Sequence, residues 1–230
     1  MSLFDIIFPK RCVSCGVVGG YICRACGKQI HLLQQADSIC PVCCKHSILG
    51  VTHVLCRSKY SMNGLISVYQ YNGPIKQLIK AIKYRFVYDM VQEGFDHIPK
   101  SVMDSTLELV GRDSEIIPIP LHVSRLKYRG FNQAEKIAQI LGKKLSIAVT
   151  TDALQRIRAS IPQVEMLSKQ ERTRNIIGAF AIRGDDQNRI YGKNILLCDD
   201  VWTTGSTMRE AGKVLKQSGA KAVWGFSLAR

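Results

Sequence analysis

Long apolar runs are missing from this sequence of 230 residues: no segment is extended and apolar enough to cross a bilayer as a helix, which argues against a helical membrane protein. The first residues, MSLFDIIFPK, hold only a short apolar stretch broken by Asp5, too little for an export signal, so the expected compartment is the cytoplasm. Internal repeats and long low-complexity tracts are also lacking, which sets aside solenoids and disordered tails. Acids are scarce. With 18 Asp+Glu against 32 Lys+Arg the net charge is +14, a balance that favours polyanions such as nucleic acid, phosphorylated metabolites or acidic membrane surfaces. The cations are scattered along the whole chain rather than gathered in one tail, and a generally solvated basic surface explains them equally well. Beyond Cys56 the only cysteine is Cys198; the rest of the nine crowd between Cys12 and Cys56. Cytoplasmic thiols stay reduced, so the crowding points to metal rather than to disulfides.

What is present divides in two. A hydrophobic content of 46% can bury a core in one domain of ordinary size plus a small module. The composition shifts near Arg57–Gly64, which separates a Cys-rich module (1–60) from a second region (61–230). Leu65–Tyr71 predicts a strand, Asn72-Gly73-Pro74 a turn, and Ile75, Leu78, Ile79 and Ile82 a helix. Ile116–Leu121 reads as a short strand closed by prolines. Phe131, Ala134, Ile137, Ala138, Leu141 and Leu145 mark the buried stripe of another helix, with Gly142 near its end. Asn194–Cys198 is the next strand, followed by a loop, a helix and a closing strand Ala222–Leu228. Short strands alternating with helices predict an α/β fold with a parallel sheet covered on both faces.

Chemistry gathers between Ile195 and Glu210. Four apolar residues, Ile195–Cys198, lead into Asp199 and Asp200, whose carboxylates can accept hydrogen bonds from two vicinal ribose hydroxyls. The carboxyl ends of strands are where open α/β sheets bind ligands. Thr203, Thr204, Gly205, Ser206 and Thr207 then offer hydroxyls and backbone N–H groups to a phosphate, with Gly205 allowing close approach. Thr207 and Glu210 have capping-box spacing, and Met208, Ala211, Val214, Leu215 and Ser218 continue a helical face to Gly219. Cys198 reads as a core thiol. Upstream, Arg125, Lys127 and Arg129 form one basic group; Arg156, Arg158 and Arg172 form a second, joined by 159–168, a segment placed to fold over a ligand. A solvated surface remains the alternative for both groups. Asn132 with Glu135 either caps the helix that follows or serves a ligand.

In the module, Cys12-x-x-Cys15 and Cys23-x-x-Cys26 lie seven residues apart, spacing that closes four thiolates around Zn2+. Cys40, Cys43 and Cys56 suggest a second site with His53, His46 or Cys44 as fourth ligand. An interleaved pairing, with Cys40 and Cys43 replacing one of the first pairs, stays open.

Five blocks then carry a resemblance: the Cys-rich front, Ile117-Pro118-Ile119-Pro120-Leu121-His122, Arg129-Gly130-Phe131-Asn132-Gln133-Ala134, Arg156-x-Arg158 with Gln163 and Arg172-x-x-Asn175, and the cradle. In this order they resemble type I phosphoribosyltransferases, and within them the ComF family associated with competence and DNA uptake. The resemblance implies a phosphoribosyltransferase-like sheet behind a zinc module. It implies that Asp199 and Asp200 bind ribose hydroxyls, that Thr203 to Thr207 hold the 5-phosphate of 5-phosphoribosyl-1-pyrophosphate (PRPP) with Val201 also binding that ligand, and that the segment Pro118–His122, Leu121 within it and Arg125 nearby, is the pyrophosphate loop, with Mg2+ arriving on the ligand. Two residues depart from the pattern. Lys59 stands where similar proteins often complete the last Cys pair, and Trp202 replaces a small aliphatic residue, either crowding the ribose or offering a stacking face.

Three functions follow. One is a DNA-uptake factor that binds PRPP and single-stranded DNA, alongside DNA-uptake proteins; Lys76, Lys80 and Lys83 share a helical face before Tyr84, Arg85, Phe86 and Tyr88, a mixture that can track phosphates and stack bases, or else an ordinary amphipathic helix. The second is an active phosphoribosyltransferase, for which no acceptor motif is visible. The third is a regulator that senses PRPP.

Overall fold

The computed structural model describes residues 9–85, 89–158, 176–184 and 187–230. Strands β1 (Gly64–Tyr69), β2 (Ser114–Pro118), β3 (Ala148–Val149), β6 (Asn194–Val201) and β7 (Ala222–Ala229) form one parallel sheet in the order β1-β7-β6-β2-β3. Strands β4 (Leu154–Arg156) and β5 (Phe180–Ile182) pair antiparallel as a separate ribbon. Among the described residues no helix is long and apolar enough to cross a membrane.

The central strand shows why the sheet is covered on both sides. Ile195, Leu196, Leu197 and Cys198 are all fully buried, as an uncharged run in a parallel sheet requires. Successive residues face opposite ways. Leu196 and Cys198 join Ile116, Phe226 and the helices Gly73–Arg85 and Gln133–Leu145 in one core. Ile195 and Leu197 join Ile117, Val223 and the helix Ser206–Gln217 in the other.

Three strands differ from the sequence reading by two residues or more at a boundary. β6 runs on through Val201 rather than stopping at Cys198, because β7 continues beside it, pairing Asp199 with Ser227 and Val201 with Ala229. β2 starts earlier, at Ser114, and ends at Pro118; the Ile119 N–H still donates to the Cys198 carbonyl, but Pro120 has no donor to extend the ladder. β1 ends at Tyr69, two residues short of the expected Tyr71. Gly142 lies near the end of its helix, as expected, and is also a close contact: a Cβ there would lie 2.5 Å from the Val149 side chain, so the glycine lets its helix settle on β3.

The Cys-rich region is built onto the open edge of the sheet. The Leu33 N–H donates to the Val68 carbonyl, the Gln70 N–H to His31, and bridges join Leu32 to Tyr69 and Val51 to Gly64. Bare strand edges pair promiscuously, and here the edge of β1 is occupied. Cys12, Ile22 and Cys26 belong to the same apolar core as Val68, and the Glu93 carboxylate accepts from the Tyr21 and Ile22 N–H groups.

Candidate functional site

Since β6 carries both acids inside its ladder, the two side chains leave opposite faces of the sheet. Asp200 continues the Leu196 and Cys198 face and meets Lys83, whose Nζ lies 3.0 Å from its Oδ2; the Asp200 side chain is only 7% exposed. Burial disfavours the Lys83 cation, but the Asp200 carboxylate outweighs it and holds the lysine above its ordinary value. This corrects the reading of Lys83 as part of a free basic face: Lys76 and Lys80 are exposed, while Lys83 is turned inward to the acid. The signal was available, since Lys83 lies four residues after the buried Ile79 and so borders the apolar stripe. Phe86 and Tyr88 of that face lie outside the described residues.

Asp199 takes the other face. Burial and the neighbouring Asp200 push its carboxyl up to about 7, against the opposing pull of the Asp200 N–H, Lys83 and Arg156. Its Oδ1 accepts from the Asp200 N–H at 2.8 Å. Arg156, on β4, stacks on Phe180 with its guanidinium carbon 5.5 Å from the ring centroid. Burial and nearby Arg125 lower the basicity of Arg156, and Asp199 partly restores it. Asp199, Arg125 and Arg156 are therefore within one electrostatic neighbourhood.

Arg125 reaches it through the segment that leaves β2 beside β6. Half-buried Leu121 precedes His122, whose Nδ1 caps the helix Val123–Arg129 by accepting from the Ser124 N–H. Arg129 instead turns to Gln133, donating to its Oε1 at 3.3 Å. Asn132 is buried and uses both ends of its amide within the protein: Oδ1 accepts from the Ala134 N–H and Nδ2 donates to the Ile119 carbonyl. The capping alternative for Asn132 accounts for the first of these bonds, and the second ties the start of the helix to the segment after β2. Arg158 is exposed above the turn at Gly178, whereas Gln163, Arg172, Asn175 and the segment 159–168 lie outside the described residues.

The loop 203–207 follows β6 directly. Gly205 adopts φ +73, a conformation that favours glycine, and a Cβ on it would sit 2.1 Å from the Trp202 ring. Trp202 is itself 3% exposed. It is turned away from solvent and fills the space beneath the loop. Thr204 Oγ1 lies 2.9 Å from Ser206 Oγ and accepts from the Ser206 N–H, and Thr203 is exposed. The positive end of the helix Ser206–Gln217 opens at this loop. The expected capping box is absent, for Gly205 is the N-cap and Glu210 reaches elsewhere, accepting from the Gly178 N–H at 2.8 Å. Glu210 thus ties the β4–β5 ribbon to the helix. Cys198 is fully buried and its thiol is pushed well up by burial and by Asp199, which suits a core residue.

Two clusters bring metal-ligating atoms within 4.8 Å of one another: Cys12, Cys15, Cys23 and Cys26, and Cys40, Cys43, His53 and Cys56. The interleaved pairing is not adopted. Tetrahedral zinc thiolates place sulfurs roughly 3.7 Å apart by the usual ~2.3 Å bond length, and Cys15 and Cys23 Sγ are 3.6 Å apart. Burial works against ionising Cys12, yet backbone N–H groups of Cys23, Cys15 and Ser14 lower it to about 6; Cys26 is pushed up to about 12 by the Cys23 sulfur and by burial. Crowded thiols cannot all ionise without a cation, so this donor set fits a metal ion. In the second cluster Cys43 Sγ lies 3.4 Å from His53 Nδ1, while His53 Nε2 donates to the His46 carbonyl at 2.9 Å. A carbonyl only accepts, so Nε2 carries the proton and Nδ1 is the ligand atom, the arrangement metal-binding histidines use. His53 is thereby selected over His46 and Cys44.

The clusters share a knuckle. Gly16 and Cys44 each follow a Cys-x-x-Cys turn with positive φ (78 and 60), and each donates its N–H to the first cysteine's carbonyl. Cys44 therefore occupies the position that Gly16 holds in the first knuckle, a local repeat that residue identity conceals.

Residues 120–226 match the phosphoribosyl transferase domain family. Over 228 residues the chain is 29% identical to Competence protein ComFC of Bacillus subtilis, covering 96% of this chain and 84% of the relative. Along most of its length the chain is thus similar to a ComF-type competence protein. Competence protein F of Haemophilus influenzae is 27% identical over 231 residues, with 97% and 98% covered. DNA utilization protein YhgH of Escherichia coli is 29% identical over 216 residues, with 91% and 90% covered. The chain combines a phosphoribosyltransferase-type α/β domain with Cys clusters able to hold metal, and the proteins it resembles carry competence and DNA-utilization names.

Proposed function

We propose that this chain binds PRPP at the carboxyl end of β6 and works in the cytoplasm on single-stranded DNA during uptake, with zinc in its N-terminal clusters. The observation that carries this reading is the placing of Asp199 and Asp200 at the end of β6, immediately before the loop 203–207 and the positive end of the helix Ser206–Gln217; Arg156 feels the charges of both Asp199 and Arg125. Asp199 accepts hydrogen bonds from ribose hydroxyls, and Asp200, at the same strand end, is charge-balanced by Lys83. Thr203, Thr204, Ser206 and Thr207, with the backbone of Gly205, receive the 5-phosphate, and Val201 packs alongside. Leu121 and Arg125 border the pyrophosphate, with Arg156 supplying a second cation. Mg2+ carried by the ligand neutralises charge between pyrophosphate and ribose oxygens. DNA handling is supported by the names of the relatives and by the net charge of +14. The domains proposed are the metal module, 1–60, and the ligand-binding region, 61–230.

Ligand-dependent melting tests the reading. A ligand that binds the folded state alone raises Tm by mass action, so Mg2+ with PRPP raises the Tm of the native protein and leaves that of Asp199→Asn/Asp200→Asn unmoved. Equal shifts in both proteins would remove the cradle from the account. Pyrophosphate release under the same conditions separates turnover from holding.

A further inference from the structure

One side chain joins the phosphate loop to the second metal knuckle. Arg209, on the first turns of the helix Ser206–Gln217, donates from Nη2 to the Thr204 carbonyl at 2.7 Å and from Nη1 to the Pro41 carbonyl at 3.0 Å. Its guanidinium lies over the buried Trp202, 5.6 Å from the ring centroid. Both acceptors occupy informative positions. Pro41 sits between the candidate ligands Cys40 and Cys43, and its carbonyl is its sole backbone hydrogen-bonding group. Thr204 lies in the middle of the loop, and a trans peptide points its carbonyl and the next N–H in opposite directions. Holding the Thr204 carbonyl therefore fixes the direction of the Gly205 N–H. The planar fork can serve both carbonyls at once while stacking on an indole, which an ammonium cannot do.

We propose that Arg209 is a positioning residue that locks the loop 203–207 to the knuckle of Cys40, Cys43, His53 and Cys56, so that metal in this cluster sets the loop for a phosphate monoester. The proposal rests on the phosphoribosyl reading above and adds a dependence of that site on a metal cluster in the other module. A metal ion holds the knuckle, the knuckle holds the Pro41 carbonyl, and Arg209 passes that constraint to Thr204. Loss of the metal or of the fork releases the same loop, so the two losses do not add.

Calorimetry on the full chain with measured zinc content tests this, using ribose 5-phosphate for the phosphate end and inorganic pyrophosphate with Mg2+ for the other. Arg209→Ala and Arg209→Lys are each expected to weaken ribose 5-phosphate about tenfold, the scale of one charge-assisted hydrogen bond, and to leave pyrophosphate unchanged. His53→Ala, with one metal equivalent lost, is expected to match them, and Arg209→Ala/His53→Ala to be no weaker than either single variant. Full affinity in Arg209→Lys would show that charge alone matters, an additive double variant would show that the sites are independent, and equal loss of pyrophosphate would show general loosening; each overturns the proposal. If the native chain binds no ribose 5-phosphate, the phosphoribosyl reading fails, and amide exchange at 203–207 decides the link by itself: equal acceleration in the Arg209 and His53 variants supports it, and unchanged exchange overturns it.

Discussion

At Asp199 the carboxyl is pushed up to about 7, whereas in an unfolded chain it titrates near ~4. Below the unfolded value both states are protonated and the fold loses nothing; as pH rises from about 4 to about 7 the unfolded chain ionises first, and stability falls. Asp199→Asn removes that slope. It is expected to raise Tm at pH 8 by roughly 2–4 °C and to change little at pH 4, as followed by circular dichroism. Lys83 makes the opposite case. Replacing it by Met leaves Asp200 buried without its cation, at an expected loss of about 3 kcal/mol in urea unfolding, and Lys83→Met/Asp200→Asn recovers most of it. An unchanged midpoint in Lys83→Met would show that the pair is solvated.

Elements were legible where one pattern ruled them. The apolar run of β6 and the stripes of the helices Gly73–Arg85, Gln133–Leu145 and Ser206–Gln217 declared themselves through hydrophobic periodicity. Polar ends did not. Glu210 has capping-box spacing but bonds to Gly178, because the Gly205 turn displaces the start of the helix and the β4–β5 ribbon supplies a competing donor. Asp199 and Asp200 looked like a paired tip, and only the pairing of β6 with β7 places them on opposite faces. Arg209 gave no local signal, for its partners are Thr204 and Pro41, the second of them remote in sequence. Two substitutions test the turns. Gly205→Ala puts a methyl into the Trp202 ring at positive φ and is expected to cost about 2–4 kcal/mol in denaturant unfolding, combining backbone and overpacking penalties. Cys44→Gly relieves a positive φ at the second knuckle, with an expected gain of about 1 kcal/mol and no loss of bound metal; lost metal would make Cys44 a ligand.

Across the whole molecule the Cys-rich region is both a set of metal clusters and the cover of a sheet edge. Leu33, His31, Thr52 and Val51 meet β1 and its flanks through backbone bonds, so a module that unfolds on chelation uncovers that edge. Strong chelators are therefore expected to lower Tm and to induce association detectable by light scattering, both reversed by zinc; a chelated protein with unchanged scattering and its Tm intact would contradict this coupling. The two regions meet at the site through Arg209 and along β1, which makes one cooperative melting transition the expected behaviour. The central claim is that the end of β6 is a phosphoribosyl site. Isothermal titration of PRPP with Mg2+ into the native protein and into Asp199→Ala/Asp200→Ala tests it most directly: saturable one-to-one binding in the native protein that disappears in the double variant is the predicted result, and no heat of binding to the native protein, or equal binding to both, would contradict it.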